Sequence, residues 1–92
     1  MSKKKLNLGC GTDFRDGWVN LDNFESDKID VKHDLEKFPY PFEDGYFDEI
    51  IAVNVLEHIE NPVKVLEELH RITANNGKVV IRVPYYNSKD MG

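Results

Sequence analysis

The segment from Glu49 to Val83 constrains the fold most strongly, because two apolar stretches flank one amphipathic helical pattern. The run Ile50–Val53 is apolar at successive residues, which is typical of a strand that is buried on both faces of a sheet. A second strand is predicted over Lys78–Val83. A helix between two such strands forms a parallel βαβ unit, so the sequence predicts an α/β fold.

The helix between these strands has recognisable ends. Asn61 suits a helix N-cap, Pro62 suits the first helical position, and Asn75–Gly77 is a stop signal. The apolar residues recur at helical spacing and are predicted to form the buried face: Val63, Leu66, Leu69 and Ile72. The charged residues of the same segment are predicted to face outward: Glu67, Glu68 and Arg71.

Three shorter strands are predicted in the first half of the chain, over Lys4–Leu8, Val19–Asp22 and Ile29–Lys32. Only Asn23–Lys28 joins the second strand to the third, whereas parallel neighbours usually need a dozen or more linking residues. An extended link of this length reaches about 20 Å, which is enough to return along a strand of about 13 Å without a helix. Asp34–Phe47 contains two prolines and a glycine and is predicted to be a loop.

A glycine turn, Gly9-Cys10-Gly11, follows the first predicted strand. Glycines at such a point allow a positive φ or a close approach of the backbone to a ligand. The dinucleotide-binding fingerprint requires a third glycine where Phe14 stands, and an acid about 20 residues further on. Asp22 comes only 11 residues after Gly11, so a nicotinamide-dinucleotide site is not predicted. A plain tight turn remains the alternative.

The turn belongs to an ordered set of motifs: Leu6–Thr12, Val19–Asp22, His33–Leu35, Pro41–Ile51, Asn54–His58, and Leu66–Arg71 before Gly77. The set covers the chain from Leu6 to about Tyr86 and resembles the class I S-adenosylmethionine-dependent methyltransferases, specifically the methyltransferase type 11 group. The resemblance implies a Rossmann-like, mostly parallel sheet of about five strands in the order 3-2-1-4-5 with one long helix. It also implies S-adenosyl-L-methionine as the cofactor.

The resemblance further implies which residues bind the cofactor at the carboxyl ends of the strands. The glycine turn would pass under its methionine part, Asp22 would accept hydrogen bonds from the ribose hydroxyls, and Asp34 would accept one from the adenine amino group. Asn54 would face the amino-acid part. The full set of implied cofactor-binding residues is Leu8, Gly9, Cys10, Gly11, Asp22, Asn23, Asp34, Leu35, Asn54 and Val55. No catalytic residue is assigned, because methyl transfer from a sulfonium depends mainly on alignment.

The chain departs from the resembling family in its first third. Many members carry an acid where Asn7 stands and a third glycine where Asp13 stands. The segment that follows Asp13 is too short for the usual first helix, so Phe14 and Trp18 are expected to cover that face of the sheet. Few residues therefore separate Asp22 from the glycine turn, because this helix is nearly absent.

Simpler interpretations remain open at several of these residues. Asp22 can end its strand in an ordinary turn, and Asp34 can cap a loop. Cys10 fits a small buried residue better than a nucleophile, because no motif fixes a base beside it. The three histidines lack metal-ligand spacing, so no metal site is predicted. Tyr85 and Tyr86 either edge a substrate pocket or close the sheet.

Composition restricts the partners. The formal net charge of −5 disfavours nucleic acids and anionic membranes, and the single cysteine excludes an intrachain disulfide. No apolar run spans the roughly 20 residues of a membrane helix, and a cytoplasmic protein is predicted. Asn54 is followed by Val55 and Leu56, not by the Pro-Pro-Tyr of enzymes that methylate amino groups in nucleic acids, so DNA is not the expected acceptor. The acceptor itself is unassigned.

Residues 1–92 are expected to be a single methyltransferase-like domain that lacks the C-terminal part of the family fold and is inactive alone. Lys78–Val83 would then be an outer strand with an apolar edge, which predicts self-association through this strand. The sheet face opposite the helix is also expected to be poorly covered. The alternative function is a non-catalytic remnant of the fold that acts as an interaction or regulatory module.

Overall fold

The computed structural model describes residues 4–83. Its elements are β1 Lys5–Leu8, β2 Val19–Asp22, β3 Val31–Lys32, β4 Phe47–Val53, α1 Pro62–Ile72 and β5 Thr73–Arg82, with a 3-10 turn at Leu56–His58. The five strands form one sheet in the order β3-β2-β1-β4-β5, and every neighbouring pair is parallel. The predicted fold class and strand order are therefore confirmed. Tyr85 and Tyr86 lie outside the described residues.

The link from β2 to β3 contains no helix, as expected. It turns at Ser26, whose carbonyl accepts the Ile29 N–H at 3.2 Å. The Asp30 N–H then donates to the Asn20 carbonyl at 2.8 Å, which begins the pairing of β3 with β2. The pairing is short, because β3 contains only two residues.

One face of the sheet, together with α1, forms the apolar core. The strand register aligns Leu6 with Ile50 and Leu8 with Ala52, so their side chains lie on the same face, and all four are fully buried. The helix contributes Val65, Leu69 and Ile72 to the same core cluster. The aromatic loop before β4 contributes Tyr40 and Phe47.

The buried face of α1 differs from the predicted one. Val63 is 61% exposed and Leu66 is 41% exposed, whereas Val65 is fully buried. Both patterns have helical spacing, and they share Leu69 and Ile72. The helix is therefore rotated, and its other apolar edge remains in solvent.

The rotation also turns two charged residues toward the protein, although they were predicted to face outward. The two residues are Glu68 and Arg71, and both contact the loop at residues 38–45. Glu68 accepts the Tyr40 N–H at 2.7 Å. Arg71 donates to the carbonyls of Phe42 (2.9 Å) and Tyr40 (3.1 Å). Arg71 also pairs with Asp44 at 2.8 Å. We call these contacts the Glu68–Arg71 clamp.

The opposite face of the sheet is polar beneath the segment that replaces the usual first helix. Asn7 and Asn20 are buried there, and the Asn7 amide donates to the Asn20 side-chain oxygen at 3.0 Å. Asn20 in turn holds the segment by accepting the Arg15 N–H (2.9 Å) and donating to the Arg15 carbonyl (3.1 Å). Trp18 lies on this face beside Lys5, as expected, with the ammonium 5.5 Å from the ring centre. Hydrogen bonds thus replace much of the apolar cover that a helix would provide.

An exposed apolar strip lies at the outer edge of β5. Within residues 4–83, β5 pairs with β4 only. The Arg82 carbonyl points toward β4, because it accepts from the Asn54 N–H. Backbone groups of successive residues in a strand point to opposite sides, so those of Val79 and Ile81 point away from β4. Their side chains are 38% exposed and line a groove of about 580 Å³ with Leu66 of α1. This apolar strip lies on the helix side of the sheet and belongs to the outer strand that the sequence predicts over Lys78–Val83.

Candidate functional site

The site predicted from the sequence lies between the carboxyl ends of β1 and β4. The strand order reverses direction between these two strands, and open parallel sheets bind ligands at such a switch point. A cavity of about 300 Å³ opens there. Four of the predicted residues line it: Gly9, Cys10, Gly11 and Asn54.

The Asp22 carboxylate is held at the glycine turn. One oxygen accepts the Gly11 N–H at 2.8 Å, and the other accepts the Asn23 N–H at 2.7 Å. The turn is further joined to β2 by the bond from the Cys10 N–H to the Leu21 carbonyl at 3.1 Å. Because each carboxylate oxygen has two acceptor sites, Asp22 can still accept hydrogen bonds from a ligand.

The two glycines of the turn are required for different reasons. Gly9 has a φ of +62°, and a Cβ on it would lie 2.6 Å from Cγ2 of Val55 and 3.4 Å from Cδ1 of Leu35. Gly11 has a φ of +57°, but no described atom would lie within 4 Å of a Cβ there. Gly9 therefore packs against two other predicted residues, and Gly11 leaves open space above the backbone.

Cys10 is suited to packing and not to nucleophilic chemistry. It is 6% exposed, and burial together with the negative charge of Asp22 raises the pKa of its thiol to about 11. The thiol therefore stays protonated near neutral pH, whereas the thiolate is the reactive form. Among the described residues, no group of three His, Cys, Asp or Glu side chains is arranged to hold a metal ion.

Asn54 closes the other side of the cavity at the end of β4. Its φ of +56° is unusual for a residue with a side chain, and asparagine tolerates this region better than most. Its N–H donates to the Arg82 carbonyl at 2.8 Å, which fixes the turn after β4 to β5. The next residue, Val55, is buried against Gly9.

Comparison with known proteins identifies the family of the chain. The family described as "Methyltransferase domain" matches residues 7–81. The chain belongs to this methyltransferase domain family. It is 32% identical over 94 residues to the uncharacterized protein MJ0638 of Methanocaldococcus jannaschii, a match that covers 88% of the chain and 41% of that protein. It is 42% identical over 43 residues to the uncharacterized protein MJ1123 of the same organism, covering 47% and 21% respectively. No solved structure matches it significantly.

The other residues that were predicted to bind the cofactor do not line the cavity. The Asp34 carboxylate accepts the Glu36 N–H at 2.9 Å and so caps the turn after β3, which is the simpler interpretation of this residue. Leu35 reaches Gly9, as described above. Leu8 is fully buried in the core, so it can offer only its backbone to a ligand, and Asn23 is exposed beside Asp22.

Four further residues line the cavity and were not assigned to the site from the sequence: Asn7, Thr12, Asp13 and Val53. Asn7 is a position at which the chain is expected to depart from the resembling family. The Asn7 amide donates to the Asp13 carbonyl at 2.7 Å and to Asn20, which a carboxylate cannot do. The asparagine is therefore matched to the short segment after the glycine turn.

No helix among residues 4–83 combines the length and apolar character that a bilayer crossing needs.

Proposed function

We propose that this chain is the cofactor-binding part of an S-adenosylmethionine-dependent methyltransferase. The observation that carries the proposal is the cavity at the switch point, which combines Gly11 with Asn54 and has Asp22 hydrogen-bonded to its glycine turn. Family membership supports the reaction type. The chain spans only 41% of the length of MJ0638, so methyl transfer by a whole protein of this kind is itself a proposal.

The residues at the cavity fit the chemistry of this cofactor. Asp22 offers free acceptor sites to the vicinal hydroxyls of a ribose. The open space above Gly11 allows a ligand to lie against the turn. The carboxylates of Asp22 and Asp13, which help to raise the pKa of buried Cys10, create a negative potential that favours a cationic sulfonium.

The chemistry asked of the protein is mainly alignment. The bound cofactor would supply an activated methyl group on its sulfonium sulfur. Asp22 and the glycine turn would hold the nucleoside part, and the side chain of Asn54 would orient the polar end. Cys10 stays protonated and takes no part as an acceptor. We propose an acceptor other than DNA, because the chain has a net charge of −5.

Titration with S-adenosylhomocysteine, followed by amide NMR and calorimetry, tests the proposal. Shifts are expected at Leu8–Thr12, Asp22–Phe24, Asp34–Leu35 and Asn54–Leu56. Asp22→Ala is expected to weaken binding by about 1.5–3 kcal/mol, because a charged acceptor is lost. The matched control is Asp27→Ala, which changes an exposed carboxylate away from the turn. Absence of shifts at millimolar ligand would rule the proposal out.

A second candidate function is a non-catalytic module of the same fold. The apolar strip on β5, with Val79 and Ile81 exposed, favours it because such strips often bind proteins. Failure to bind S-adenosylhomocysteine together with concentration-dependent self-association would favour this candidate over the first.

A further inference from the structure

The buried residue Tyr40 connects the Glu68–Arg71 clamp to the candidate site. Its backbone N–H donates to Glu68 at 2.7 Å, and its carbonyl accepts from Arg71 at 3.1 Å. At the far end of the side chain, the hydroxyl donates to the Leu35 carbonyl at 2.8 Å. The residue is 2% exposed, so it is held at both ends inside the core.

Leu35 is the point at which this connection reaches the glycine turn. It lies within the turn capped by Asp34, and its Cδ1 atom lies 3.4 Å from the position of a Cβ on Gly9. The same Cβ position would lie 2.6 Å from Cγ2 of Val55, so both side chains pack on that side of Gly9. Leu35 and Val55 together therefore limit the room beside the Gly9 backbone.

The Tyr40 hydroxyl is suited to fix that location. Phe38 stacks on the ring and His33 meets it edge-on, each with ring centres 5.5 Å apart, so the ring itself has little freedom. Burial and the nearby Glu68 charge raise the pKa of Tyr40, so the hydroxyl remains a donor at all physiological pH values. The Leu35 carbonyl thus has a permanent partner.

We propose that Tyr40 is a positioning residue for the cofactor site: its hydroxyl holds Leu35 against Gly9 and so keeps the glycine turn in its binding conformation. The identity of the ligand rests on the proposed function. The contacts that join Tyr40, Leu35 and the turn are independent of it. Tyr40 itself does not line the cavity.

The test compares Tyr40→Phe with Tyr46→Phe in the 92-residue chain, at a temperature where urea unfolding shows each variant to be folded. Tyr46 is a matched control, because it lies in the same loop and packs edge-on against Phe47. Two quantities are measured: the ligand-free amide shifts of Gly9 and Leu35, and the affinity for S-adenosylhomocysteine. Tyr40→Phe is expected to move both amides and to weaken binding about 3- to 10-fold, as loss of one hydrogen bond allows. Tyr46→Phe is expected to change neither.

The two readouts separate the two hypotheses. If the unchanged chain does not bind S-adenosylhomocysteine, the proposed function fails, and the ligand-free shifts still report whether Tyr40 controls the turn. Amides of Gly9 and Leu35 that stay in place in folded Tyr40→Phe would overturn the positioning role. Moved amides with unchanged affinity would overturn it as well. An equal loss of affinity in Tyr46→Phe would assign the effect to general stability.

Discussion

Replacement of Arg71 by methionine is predicted to destabilise the fold strongly. The guanidinium donates to both oxygens of Glu68 at 2.8 Å and to the carbonyls of Phe42 and Tyr40. Its contact with Asp44 adds little, because that side chain is 83% exposed. In Arg71→Met, Glu68 keeps a carboxylate that is only 13% exposed and has lost its cation, and two carbonyls lose a donor.

The magnitude follows from these contacts. Breaking a fully buried ion pair costs about 3–5 kcal/mol. Water reaches this pair, because the Arg71 side chain is 28% exposed, so we expect a loss of about 2–3 kcal/mol. With a urea dependence of about 1–3 kcal/mol per molar, the unfolding midpoint should fall by about 0.7–3 M. Arg71→Lys should recover only part of this, because an ammonium cannot bond both Glu68 oxygens and the loop at once.

Urea unfolding followed by circular dichroism is the assay, and Lys64→Met is the control, because it removes an exposed cation from the same helix. The control should change stability by less than about 0.5 kcal/mol. Equal midpoints for Arg71→Met and Lys64→Met would refute the reasoning.

The clamp also predicts a pH dependence. Hydrogen bonds from Arg71 lower the pKa of Glu68 from its ordinary value of 4.5. A carboxyl group with a lowered folded-state pKa stabilises the fold above the ordinary value, and this contribution is lost as the pH falls through the lower one. The difference in stability between the unchanged chain and Arg71→Met should therefore shrink below about pH 4.5. A difference that stays constant down to pH 2 would contradict the assignment.

The remaining predictions concern the turn, the polar network and the sheet edge. Gly9→Ala should lose about 2–3 kcal/mol in urea unfolding, because its Cβ meets Val55, whereas Gly11→Ala should lose only about 1 kcal/mol from its positive φ. Asn7→Asp should lower the free energy of unfolding by about 1–3 kcal/mol at pH 7, because the Asp13 carbonyl and the Asn20 side-chain oxygen lose their donor. The loss should be smaller at pH 4, and equal losses at the two pH values would contradict this hydrogen-bond network. We propose that a second copy pairs antiparallel with β5 about Ile81, so sedimentation should show a dimer that Ile81→Lys abolishes; a strict monomer at millimolar concentration would exclude it.

The sheet could be predicted from the sequence because its signals are local. The apolar run at Ile50–Val53 and the helix start at Asn61 do not depend on distant contacts. The predicted helix stop at Asn75–Gly77 is wrong, because α1 already ends at Ile72 and these residues lie within β5. The rotation of α1 could not be predicted, because Val63 and Val65 are equally apolar and only the sheet decides which one is covered. The inward orientation of Arg71 depends on loop carbonyls 29 and 31 residues away, to which no spacing rule applies.

The same distinction applies to the candidate site. Gly11 and Asp22 meet because β1 and β2 are neighbours and end at the same edge, which the motif order already implied. The sequence assigned Asp34 by resemblance, whereas its carboxylate caps a local turn in the described structure. Asn7 was noticed only as a departure, because its partner Asn20 is 13 residues away on another strand.

The loss of the first helix changes what stabilises the glycine turn. A helix after the turn would fix it by packing apolar side chains on the sheet. Here the Asn7 amide holds the chain at Asp13 on one face, and Leu35 supports Gly9 on the other. Buried hydrogen bonds tolerate displacement less well than apolar contacts, because an unpaired buried group keeps its full desolvation cost. The short segment therefore holds the turn through buried hydrogen bonds, at the expense of tolerance to substitution at Asn7.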